Sequence, residues 1–169
     1  MAERLLEALK LAYEAEKEGL RSYLKYAKQT KVGVGKDMFI QLAADEIDHM
    51  ELIENFKDKI LAGQPIESVE VPKGRLSKFM PNVNDASLQP VDKGELGDEE
   101  ALKIALEHEK KAMEFYKKES ANTTDPKVKE FFEKLADVES KHYNIIEAEL
   151  NFIKKDGFWF DTKEFSLEM

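Results

Sequence analysis

Apolar residues recur at intervals of three, four and seven from Leu5 through Leu9, Ala12, Leu20, Tyr23 and Ala27, the period of a helix with one buried face. The pattern predicts a first helix over about residues 2–29. The segment Thr30 to Gly35 holds two glycines and predicts a turn. A second helix is predicted from about Lys36 to Leu61, with Phe39, Leu42, Ala43, Met50, Ile53, Phe56 and Ile60 on one face, stopped by Gly63 and Pro65. Asp98, Glu99 and Glu100 offer a cap and an acidic first turn to a third helix reaching about Ala121. Asp125 followed by Pro126 opens a fourth that runs to about Lys155.

The two halves repeat. Ala8 to Lys17 reappears as Ala101 to Lys110, and Gln41 to His49 as Lys134 to His142, both 93 positions on. About a third of the positions from 8 to 61 are identical to their counterparts, which marks a tandem duplication. The expected fold is therefore all-α, a single domain over residues 1–169: a four-helix bundle of two duplicated hairpins joined by a long crossover, residues 62–98. That crossover holds four of the five prolines and half of the eight glycines. Helices of ~26 residues span ~40 Å, so the crossover has to traverse the bundle's length; a short strand is expected from Glu67 to Val71. Residues 156–169 form a non-helical tail with four aromatics, read as a lid over one bundle end or part of a subunit contact.

Interrupting the apolar stripe are polar residues that recur in register: Glu16 and Glu109, Tyr23 and Tyr116, Glu46 and Glu139, His49 and His142. Glu-x-x-His places a carboxylate and an imidazole on one helical face. Four carboxylates aimed inward cost several kcal/mol each unless neutralised, and no lysine or arginine repeats on that stripe. Two divalent cations would supply the missing charge. Glu16, Glu46, His49, Glu109, Glu139 and His142 make a four-Glu, two-His set, the pattern of carboxylate-bridged di-iron and di-manganese centres in helical bundles. His108 breaks the repeat, its counterpart being Ala15. Lying about 100° from the Glu109 face, it is expected to be solvated. Asp45 is a candidate partner for a histidine, although Val138 replaces it in the second copy.

Composition narrows the chemistry. The net charge is −9 and no basic run stands out, so neither nucleic acid nor an anionic membrane is an expected partner. Cysteine is absent, which excludes thiolate catalysis and four-cysteine iron within these residues. No apolar run approaches the ~18 residues of a membrane span, and the first residues lack the basic-then-apolar plan of a signal peptide; a soluble cytoplasmic protein is expected.

With these motifs the chain resembles the rubrerythrin type of the ferritin-like superfamily over both hairpins. The resemblance implies that Glu46 and Glu139 bridge two metals, that Glu16 and Glu109 are terminal ligands, and that Tyr23 and Tyr116 hydrogen-bond ligand carboxylates. It implies two iron ions per site, with manganese or zinc as alternatives, in a non-haem di-iron oxidoreductase that reduces hydrogen peroxide or oxygen with electrons from an external donor protein. Two features depart from the family: the further carboxylate often found three residues after the third-helix Glu is here Ala112, with Gly19 in the equivalent place, and the rubredoxin-like domain is missing. Ferroxidase or iron-handling chemistry and a metal-stabilised structural bundle without turnover are the rival readings. A homodimer is the expected assembly, with or without exchange of hairpins between subunits, which is open to it because each hairpin carries half of the ligands and the crossover is long.

Overall fold

The periodic segments form the four helices that the pattern predicts: α1 (Ala2–Gln29), α2 (Gly33–Leu61), α3 (Asp98–Ala121) and α4 (Pro126–Asp156). The computed structural model describes residues 2–72, 89–90 and 97–159. α1 packs on α2 and α3 on α4 along their lengths, with a thinner seam between α1 and α3. Asp125 caps α4 as expected, its Oδ1 accepting from the backbone N–H groups of Lys127 and Val128 at 2.8 and 3.2 Å. Gly157 ends that helix in the left-handed region at φ 75°.

Three local expectations are corrected. α2 begins at Gly33, so both glycines lie inside the helix; Gly35 is required there because the Trp159 ring lies where a Cβ would be, 2.5 Å away. Asp98 does not cap α3: it is the first helical residue, buried, and accepts from Trp159 Nε1 at 2.7 Å. The stretch Glu67 to Val71 is not a strand. Val69 and Val71 instead pack on the bundle, with Lys134 Nζ of α4 donating to the Val69 carbonyl at 2.9 Å. A two-residue antiparallel ladder forms elsewhere, between β1 (Gln89–Pro90) and β2 (Phe158–Trp159). Of the tail, Trp159 is fully buried against Gly35 and Phe39; residues 160–169, on which the lid and subunit-contact readings mostly fall, and most of the crossover lie outside the described residues.

The core is divided. One apolar cluster gathers Tyr23, Phe39, Leu42, Leu102, Ile146, Leu150 and Trp159; the other gathers Leu9, Ile53, Phe56, Tyr116, Phe132 and Leu135. The duplication is visible in the packing, since Tyr23 stacks on Phe39 at 6.3 Å and their counterparts Tyr116 and Phe132 stack at 6.2 Å.

Candidate metal centre

Four buried glutamates, one from each helix, converge at the centre of the bundle: Glu16 from α1, Glu46 from α2, Glu109 from α3 and Glu139 from α4, none more than 2% exposed. His49 and His142 join them from α2 and α4, their rings 5.7 Å apart and inclined by 24°. His49 Nδ1 lies 3.2 Å from Glu16 Oε2, 3.1 Å from Glu139 Oε1 and 3.7 Å from Glu46 Oε2. His142 Nδ1 lies 3.4 Å from Glu139 Oε2 and 3.8 Å from Glu109 Oε2. All six candidates therefore meet in one place.

They fall into two quartets whose donor atoms lie within 4.8 Å of one another: Glu16, Glu46, His49 and Glu139, and Glu46, Glu109, Glu139 and His142. Glu46 and Glu139 belong to both, as bridging carboxylates would. Buried polar atoms that make no hydrogen bond of good geometry are concentrated here: both oxygens of Glu46, Glu109 Oε2, Glu139 Oε1 and His142 Nδ1. Such atoms cost free energy when left bare. Hard carboxylate oxygens with two imidazole nitrogens suit first-row divalent cations, so the donor set fits a pair of metal ions.

The tyrosines cross between the repeats. Tyr23 donates to Glu109 and Tyr116 to Glu16, so each phenol fixes the carboxylate of the other hairpin. Burial, with Glu109 and Glu46 nearby, raises the Tyr23 phenol well above its usual range; burial and Glu16 do the same for Tyr116. Both stay neutral and keep the proton that they donate. Asp45, left open by the sequence, lies 3.2 Å from His142 Nε2, which turns Nδ1 toward the carboxylates.

The protonation pattern follows from crowding charges in a dry interior. Burial and then the Glu16 charge push the Glu46 carboxyl well up, and burial with Glu139 beside it raises Glu109 to about 8. His49 and His142 are raised well above their usual value even though burial opposes their charged form, because the carboxylates outweigh it. Glu139 moves the other way: burial opposes ionisation, but His49 and His142 hold it well below the usual carboxylate range. Protons thus occupy a site whose charge cations would otherwise balance.

His108, expected to be solvated, is only partly so. It is half-buried in the α1–α3 seam, its ring edge-on to Tyr23 at 6.1 Å. A Cβ on Gly19 would stand 2.6 Å from His108 Nε2 and 3.3 Å from the Glu46 carboxyl carbon. The helical angle within α3 was read correctly, but the hole left by Gly19 on α1 could not be seen from it.

Comparison with known proteins gives one family. The model of the Rubrerythrin family matches residues 7–150, a span that includes both hairpins and all six candidate ligands. No curated protein and no solved structure matches.

Proposed function

The chain belongs to the rubrerythrin family, and from that premise we propose that it is a di-iron oxidoreductase that reduces hydrogen peroxide with electrons from an external donor. The observation that carries this reading is the buried belt of four carboxylates and two imidazoles with five bare donor atoms. Glu16, His49 and the shared pair Glu46 and Glu139 would hold one ion; Glu109, His142 and the same pair would hold the other. When bound, two ferrous ions supply the two electrons that cleavage of the peroxide bond consumes, while two protons complete two waters.

The residues around the site do the rest. Tyr23 and Tyr116 hold the terminal carboxylates in place from opposite hairpins, and Asp45 orients His142. The two apolar clusters above and below the belt keep bulk water away, which strengthens every charge interaction within it. Re-reduction is assigned to an external donor protein, since these residues hold no cysteine for a second, thiolate-bound iron centre. Ala112 provides no extra carboxylate, so the preference for peroxide is expected to be smaller than in relatives that carry one.

Stopped-flow mixing of anaerobic ferrous protein with each oxidant tests the reading. Oxidation by peroxide should be faster than by oxygen. The reverse order moves the assignment to a ferroxidase or oxidase, and two bound metals inert to both oxidants make it a structural bundle. A homodimer with exchanged hairpins is part of the same proposal; a monomer by light scattering at micromolar concentration removes it.

A further inference from the structure

A cleft of about 560 Å³ opens over the α1–α3 seam, and its lining includes Ser22, Tyr23, Tyr26, Ile104 and His108. Tyr23 is fully buried and donates to Glu109, so the floor of this cleft is one side chain away from the carboxylate belt. His108 stands beside it, with Nε2 packed over Gly19 and that glycine's vacant Cβ position in contact range of Glu46. On the α1 side the small residues Gly19 and Ser22 lie beside Tyr23 on this path.

The duplication supplies an internal comparison. On the equivalent side, Gly19, Ser22 and His108 are replaced by Ala112, Phe115 and Ala15. Phe115 is half-buried and lies edge-on to Tyr116 at 5.5 Å, a bulky ring where the other side has Ser22. The cavity on that side, about 540 Å³, reaches Leu11 and Glu119, the counterparts of Ile104 and Tyr26, but not Tyr116. Two tyrosines that do the same work on the belt are thus approached differently: one from an open cleft, the other beside a phenyl ring.

We infer that the Ser22–His108 cleft is the route by which small molecules reach the di-metal site, with the His108 ring as its gate. The inference rests on the metal-site reading above but not on peroxide being the substrate. Such a route would pass molecules of two or three heavy atoms, such as hydrogen peroxide or azide, once the imidazole swings aside, and would hold back a branched hydroperoxide.

The test uses the ferric, two-metal protein and sodium azide, whose binding to iron is followed by its charge-transfer absorption in stopped flow. Ser22→Phe, which copies the closed side, should slow azide binding by about tenfold or more, with metal content unchanged. Ser22→Leu carries the same expectation should the phenyl ring prevent folding. His108→Ala should speed azide binding, and should raise the oxidation rate by cumene hydroperoxide more than that by hydrogen peroxide, a size dependence that loosened packing alone does not produce. Leu11→Ser, on the other side, should leave the azide rate unchanged. Unaltered azide rates in both the Ser22 and His108 variants, at full metal content, overturn the inference, as does an equal effect from Leu11→Ser. Azide rates that respond as described in a protein that peroxide does not oxidise uphold the route while removing the peroxide reading.

Discussion

Glu109 and Glu16 each accept from the tyrosine of the opposite repeat, so Tyr23→Phe leaves a buried carboxylate oxygen without its donor. The variant should keep two metals but bind them roughly 10- to 100-fold more weakly in chelator competition, the usual cost of losing a partner that orients a ligand. The protonation pattern gives a second expectation. In the metal-free protein Glu109 titrates near 8 instead of 4.5, Glu46 is raised too, and both histidines are raised above 6.5. A group raised on folding stabilises most below its unfolded pKa and loses that contribution as pH rises through the folded one. Glu139, held low, works in the opposite sense, but its loss lies well below pH 4.5. Between about pH 5 and 9 the metal-free protein should therefore lose thermal stability as pH rises, while metal uptake expels protons and tightens over the same range. Thermal melts of both forms across that range check it; a metal-free Tm that climbs with pH contradicts the assignment. All six candidate ligands were legible because each recurs 93 positions away. Asp45 was legible only as a candidate and the place of His108 not at all, because each breaks the repeat and acts across a helix interface that one-dimensional spacing does not encode.

Helix positions followed directly from periodicity, but the start of α2 and the cap of α3 did not. A pair of glycines reads as a turn, yet Gly35 sits within α2 because its missing side chain admits the Trp159 ring, from a segment more than a hundred residues away. This inverts an ordinary expectation. Gly→Ala inside a helix stabilises by up to ~1 kcal/mol when the site has room. Here the new Cβ would lie 2.5 Å from the indole, so Gly35→Ala should destabilise by about 1–3 kcal/mol, the cost of overpacking. Urea denaturation decides the sign. Asp98 was misread for the same reason, since its carboxylate serves Trp159 Nε1 rather than the α3 backbone. Asp125, whose partners are its immediate neighbours, was read correctly from local sequence.

Within each hairpin the helices pack along their lengths, whereas α1 meets α3 more lightly, so the carboxylate belt is itself a major junction between the halves. None of the helices among the described residues is long and apolar enough to cross a membrane, and no second cluster of metal-binding groups occurs among them. The bundle and its junction were legible because the duplication repeats polar as well as apolar positions; the path of residues 64–72 was not, since it depends on contacts with α4 such as Lys134 to Val69. Sharing of ligands then sets how the junction fails. Glu46 and Glu139 each belong to both quartets, while Glu16 and Glu109 each belong to one. Removing a shared carboxylate takes a charge from both ions, so Glu139→Ala and Glu46→Ala should fall from two metals per chain to none. Glu16→Ala and Glu109→Ala should each retain one ion, bound more weakly. Because metal binding to the native state adds directly to folding stability, the first pair of variants should also lose all metal-dependent rise in Tm, and the second pair only part of it. Elemental analysis beside melting curves tests both consequences, and a Glu139→Ala protein that keeps one tightly held ion would show that the two sites do not share a bridge.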